Sequence, residues 1–204
     1  MARIPFLDRI SDLTRIAHRA NFSSVDKHIS NLNFETRFAN MVSARYACRS
    51  FADRKVNPAM IDKIVELART APSADGRQPT HVWALTSDEA LTRLHEVHDA
   101  YGAPAVMLVG VDTDKAWKRS FDGKSSADTD SAVVVLHMLL EASDLGLGNV
   151  WISDFDTAKM AEKFPETAGY EVTALLALGY PADDADTEGN VLEFKPFEEY
   201  CTKL

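Results

Sequence analysis

Arg45, Arg49, Arg54 and Lys55 crowd one short stretch of an otherwise acidic chain. Guanidinium groups at that spacing suit bidentate donation to a phosphate. A solvated basic turn paired with surface carboxylates has the same composition, and the residues alone leave both readings open. A second stretch, Gly146 to Asp154, turns on two glycines and runs through Val150-Trp151-Ile152 into Ser153-Asp154. Glycines let a backbone come close to a flat ligand; an ordinary helix-to-strand connection also looks like this. Other chemistry is poorly served. His95 and His98 sit one turn apart with no third metal ligand nearby. His137 lies inside an apolar helix and reads as a satisfied core histidine. Cys48 lies among cations, which lower a thiol pKa, but it lacks triad partners. There is no glycine-rich dinucleotide or phosphate-loop motif, and no serine in a nucleophile elbow.

Composition narrows the partners. A net charge of −9 and a pI near 5.1 argue against nucleic acid and against an anionic membrane surface. Any anion site is therefore a local basic cluster. Two cysteines make no disulfide framework. The first residues lack the apolar core of a signal peptide, so a cytoplasmic location is the expectation. At 204 residues the chain is expected to form one domain with an arm.

The elements that must carry these residues follow from periodicity. Helical stripes run through Ile4 to Ala20 and Ser24 to Ser43, giving an arm over residues 1–37 and a domain over 38–204. Asn57-Pro58 starts a helix that Ala71-Pro72 ends. A polar turn, Ser73 to Pro79, leads into a strand from His81 to Thr86. Ser87 caps a helix through His98. Ala105–Val111 is apolar on both faces and so a central strand. A long polar loop, Asp112 to Ala127, holds Trp117 and Phe121. Ala132 to Leu145 reads as a core helix, apolar nearly all round, capped by Asp128 or Asp130 and stopped by Gly146 and Gly148. A helix capped by Asp156 and a buried strand from Glu171 to Leu178 complete the pattern. Without strict strand–helix alternation the class is α+β, or a mixed-sheet sandwich.

Four blocks in this order resemble the FMN-dependent nitroreductase family: Arg45 to Phe51, Ala71 to Pro79, Leu145 to Phe155, and Ala177 to Pro181. The resemblance implies a mostly antiparallel sheet flanked by helices, in an intertwined homodimer with two shared FMN sites. It assigns Arg45, Arg49 and Lys195 to the FMN phosphate, with Tyr46 and Ala47 beside them. Pro72, Ser73, Ala74 and Gly76 then approach the flavin from the neighbouring subunit, and Gln78 fixes that loop or the cofactor. Trp151, Ile152, Ser153 and Asp154 line the flavin ring near N5.

The activity implied is NAD(P)H-dependent reduction of flat acceptors, such as nitroaromatics or quinones, by hydride transfer through flavin N5, without a side-chain acid or base. Trp117 and Phe121 either cover the acceptor or pack on the core. The sequence departs from the family at Tyr46, Ala47, Gly76, Thr80 and Ser153, where a basic residue, serine, asparagine, tryptophan and glycine are usual. Losing the serine hydroxyl and the asparagine amide each costs about 1–2 kcal/mol of cofactor affinity. The departures keep two alternatives in view: other flavin chemistry on the same fold, such as dehalogenation or azoline oxidation, and a non-enzymatic flavin-binding dimer.

Overall fold

The computed structural model describes residues 37–185 and 195–204. The helical arm expected over residues 1–37 lies almost wholly outside them. In chain order the described elements are α1 (Arg37–Ala44), α2 (Pro58–Ala68), β1 (Thr80–Leu85), α3 (Asp88–His95), β2 (Ala105–Val111), α4 (Ala127–Asp144), β3 (Gly148–Ile152), α5 (Thr157–Lys163), β4 (Glu171–Gly179) and α6 (Phe197–Tyr200). Contacts divide the chain into residues 47–186 and a second unit made of residues 1–46 with 187–204. In that second unit α1 exposes Phe38 and Val42, and α6 exposes Phe197 and Tyr200.

The larger unit is built on one antiparallel sheet in the order β1-β2-β4-β3. β2 is interior, as its two apolar faces require. Its side chains alternate between two cores. Met107 and Val109 pack with Leu176, Leu178, Ile64 and Met138 under α2 and α4. Val106 and Leu108 pack with Leu175, Leu94, Met160 and Phe164 under α3 and α5. Each fully buried side chain of this size contributes roughly 1.5–3 kcal/mol.

One irregularity breaks the register. The β2–β4 pairing skips Thr173, so Val109 faces Ala174 and Gly110 faces Val172. A bulge of this kind points two successive residues the same way. Thr173 Oγ1 therefore donates to Val109 O at 3.2 Å and meets Ser131 Oγ on α4.

Several helix ends differ from the sequence reading, each for a local reason. α2 begins where expected, with Asn57 Oδ1 accepting the Ala59 N–H and proline next in line. It stops at Ala68, not Ala71, because Thr70 Oγ1 takes the Leu67 carbonyl. α3 ends at His95 because His98 Nδ1 accepts the Ala100 N–H and Asp99 caps the turn that follows. α4 starts at Ala127 rather than Ala132, so Asp128 and Asp130 sit in its first turn and cap nothing. Polar residues can open a helix when their side chains have partners, and Asp130 does.

Nor is α4 enclosed all round. Leu136 is 46% exposed, with half-buried Val133 and Leu140 on the same stripe. Gly146 closes the helix in the left-handed conformation (φ 76°). Gly148 belongs to β3 and stops nothing.

Candidate functional site

At the sheet end formed by Leu85, Ala105, Gly148 and Gly179, a ribbon from Ala47 to Ala52 is stitched to the strands. Cys48 N–H donates to Asn149 O at 2.9 Å, Ala52 N–H to Tyr180 O at 2.8 Å, and Ala182 N–H to Ser50 O at 3.1 Å. Phe51 forms a bridge with Pro181. This approach requires glycine. A Cβ at Gly148 would lie 2.6 Å from Cys48 Sγ and 2.8 Å from its Cβ, and one at Gly179 would lie 2.8 Å from Phe51 Cδ1. The ribbon leaves Ala47 half-buried and Arg49 exposed, its guanidinium 5.8 Å from the centroid of the Tyr101 ring. Cys48 itself is 1% exposed and donates to Ser50 O, so the ribbon presents no reactive thiol.

The turn Ser73–Gln78 lies at the other end of the sheet. It precedes Thr80, which pairs with Val111, and Pro79 O accepts the Asp112 N–H at 2.8 Å. Its backbone is contorted: Asp75, Gly76 and Gln78 have φ of 56°, 65° and 45°. Ser73 Oγ accepts the Gln78 N–H at 2.8 Å, and Ala74 N–H donates to Asp130 Oδ1 at 2.9 Å. Pro72 and Gly76 are exposed, and nothing lies within 4 Å of where a Gly76 Cβ would sit. Gln78 Nε2 reaches back to Arg69 O at 3.5 Å, so this side chain braces the turn.

The loop 112–127 is ordered. Ser126 N–H donates to Trp117 O, Arg119 N–H to Lys124 O, and Lys118 bridges Ser125, forming a hairpin. Hydrogen bonds from Lys115 hold the Asp112 carboxyl below its usual range, and the Arg119 guanidinium does the same for Asp122. Trp117 is half-buried, whereas Phe121 at the tip is 94% exposed. A cavity of about 230 Å³ beside the hairpin is lined by Trp117, Arg119, Lys124, Ser125, Ser126 and Thr129.

β3 runs between the two ends along a sheet edge. Val150 and Ile152 are buried, but Trp151 is 39% exposed, and Ser153 and Asp154 are exposed just past the strand. Of the remaining expected residues, half-buried Arg45 and Tyr46 and exposed Lys195 belong to the second unit. His137 is satisfied by Val133 O at 2.8 Å. Among the described residues no cluster could hold a metal.

The family model described as "Nitroreductase family" matches residues 42–100 and 92–180, well over half of the chain. The chain belongs to the nitroreductase family. A crystal structure of a nitroreductase family protein from Clostridium difficile 630 is 33% identical with a TM-score of 0.76, covering 82% of this chain and 98% of that one. An Archaeoglobus fulgidus protein provisionally named NADH dehydrogenase/NAD(P)H nitroreductase is 29% identical over 72% of this chain and 86% of its own. The fold is shared with a Desulfovibrio desulfuricans protein provisionally named a nitroreductase and solved in complex with FMN (TM-score 0.68, 23% identity, 83% of this chain and 98% of that one). Membership makes this chain an oxidoreductase by family.

The residues present fit a phosphorylated flavin. Among the described residues Arg45, Arg49 and Lys195 have no carboxylate partner, a condition they share with Arg54, Lys63, Lys118, Lys124, Lys159 and Lys203, and Arg49 is exposed beside the glycine-backed ribbon. Cations left unpaired in an acidic protein are available to an anion. Two residues of the site escaped the sequence reading. Tyr101 stands beside Arg49 from a separate loop, and no local pattern announces it. Asp130 does carry a signal, an acid within an apolar helix, but that position also suits a helix cap.

Proposed function

We propose that this protein is an FMN-dependent NAD(P)H oxidoreductase whose flavin site is completed by two copies of the chain. One observation carries this reading. Within a single copy the Arg49 ribbon and the Ser73–Gln78 turn lie at opposite ends of the sheet. From Ala105 to Val111 the strand rises about 20 Å, so the ribbon and the turn of one copy stand a full strand length apart. If both serve FMN in the way the family resemblance implies, the turn reaches the FMN of a second copy, and the protein is a homodimer. Leu136, 46% exposed between half-buried Val133 and Leu140 on α4, supports a partner, since burying exposed apolar surface favours association.

Bound FMN supplies the hydride transfer at N5. The chain supplies the rest. Arg49 meets the phosphate with charge-assisted hydrogen bonds; Arg45, Tyr46 and Lys195 take the phosphate roles that the resemblance implies. In the roles the resemblance implies, Trp151, Ile152, Ser153 and Asp154 would line the flavin ring near N5, where backbone N–H groups would favour developing negative charge. Pro72, Ser73, Ala74 and Gly76 of the second copy cover the ring from the other side. Flat acceptors such as nitroaromatics or quinones, and NADH or NADPH before them, then stack in the same place. Trp117 and Phe121, on the hairpin whose base Ser126 shares Asp130 with the turn, are candidates to cover them.

Purified protein is expected to be yellow, and its flavin absorption to bleach under NADH or NADPH without oxygen. Protein that is colourless and takes up no added FMN contradicts the proposal. A second reading, a flavin-binding dimer without turnover, draws on Ala47 and Gly76, where polar groups usual in the family are missing. Tight flavin that neither nicotinamide reduces favours it.

A further inference from the structure

We infer that Asp130 is a positioning residue that fixes the Ser73–Gln78 turn, and thereby the flavin held by the opposite copy of the chain. This rests on the reading above that the turn faces FMN. Asp130 is 3% exposed on α4, and both its oxygens are engaged. Oδ1 accepts the Ala74 N–H at 2.9 Å and Oδ2 accepts the Ser126 hydroxyl at 2.7 Å. A carboxylate is costly to bury unless such bonds satisfy it. Packing alone would be met by alanine or leucine there, as in the rest of the helix. The turn it holds needs holding. Asp75 and Gln78 are non-glycine residues in the left-handed region on either side of Gly76, and such backbone persists only where its surroundings over-determine it. Most of the turn's bonds are local: Gly76 N–H to Ser73 O, Arg77 N–H to Ala74 O, Gln78 N–H to Ser73 Oγ and the Arg77–Asp75 ion pair, with Gln78 Nε2 on Arg69 O and Asp112 N–H on Pro79 O at its far end. Among the described residues, the Asp130 bond to Ala74 N–H is the hydrogen bond that reaches residues 73–76 from outside the turn.

Ser126 is also the base of the 117–126 hairpin, through its own N–H to Trp117 O at 2.8 Å. One carboxylate therefore ties two surface features, turn and hairpin, to the start of one helix. Its effect on cofactor binding is exerted in trans, since the turn serves the site built around the partner's arginine ribbon.

The test compares D130A, D130N and R49A, alone and as hybrid dimers. D130N keeps an oxygen for the Ala74 N–H and is expected to bind FMN within a few-fold of wild type; D130A is expected to bind it about tenfold or more weakly. In the FMN-free proteins the Ala74 amide should exchange with solvent faster in D130A and at the wild-type rate in D130N. A D130A/R49A hybrid carries both defects in one site and none in the other, so one site per dimer should recover wild-type affinity. Wild-type FMN affinity in D130A, or a hybrid no better than its parents, overturns the inference. Should D130A not fold, S126A is read in its place, with weakened FMN binding supporting the inference and unchanged binding overturning it. Wild-type protein that takes up no FMN defeats the flavin reading itself, and with it the assignment in trans. Ala74 exchange then still separates that result from a failure of the Asp130 anchor.

Discussion

The two ends of the sheet position their residues by opposite means. Around Arg49 the restraint is steric. Gly148 and Gly179 lack side chains so that the ribbon can lie against the strands, and any added atom meets Cys48 or Phe51. Around Gly76 the restraint is polar, since the turn stands in open space and is held by a few hydrogen bonds to Asp130, Ser73 and Asp112. The steric end should tolerate no increase in volume, while its stability should be indifferent to charge. The polar end should accept asparagine at Gly76, which tolerates the left-handed conformation that most side chains do not, and fail when an acceptor is removed.

The largest expected effect is at the steric end. G148A places a methyl group within 2.8 Å of Cys48 Cβ; overpacking of this kind costs about 1–3 kcal/mol. Thermal unfolding should show that loss, and flavin titration should show that FMN binding falls with it. A G148A protein as stable and as yellow as wild type would mean that the close approach is not what holds the ribbon. Next comes R49Q. It removes a charged donor without touching the core, so FMN affinity should drop about 10- to 100-fold while the melting temperature stays put. Equal affinity would remove Arg49 from the site.

At the polar end a gain is expected. Gly76 has φ of 65°, a conformation that asparagine tolerates, and nothing lies near its Cβ position. G76N should therefore fold normally and tighten FMN binding by a few-fold, up to about tenfold, by restoring a polar contact. Weaker binding would show that the turn does not face the flavin.

The smallest effect lies away from both ends, where Arg93 pairs with Glu166 at 2.6 Å and Lys163 pairs with Glu96. Hydrogen bonds from these cations depress both carboxyls below their ordinary values. Whatever stability they contribute is full above the unfolded carboxylate pKa, near 4.5, and is lost as pH falls through the lower folded values. The difference between wild type and E166Q should accordingly be small and flat at neutral pH, shrink in acid, and diminish with added salt. FMN binding should not change. A large effect at neutral pH, or one that grows in acid, would contradict these assignments.

Much of this was legible in the sequence where local rules act alone. Asn57-Pro58 announces α2, the run Ala105–Val111 is β2 residue for residue, and Gly146 ends α4 in the left-handed conformation that its type suggests. The sequence reading stumbled where a distant partner decides. α4 starts a turn and a half early because Asp130 finds Ala74, 56 residues away in the chain. Gly148 reads as a helix stop but serves to admit Cys48. The bulge at Thr173 depends on Val109 and Ser131, which no period-two pattern reveals. The candidate site followed the same division. Its residue types stand out as blocks, but their placement at opposite ends of the sheet emerges only from strand register.

The proposed function makes dimerisation a condition of the flavin site, and sedimentation combined with flavin content tests it directly. The account predicts a dimer carrying one FMN per chain, with FMN affinity that falls as the protein is diluted into monomers. A monomer that binds FMN with undiminished affinity would contradict it.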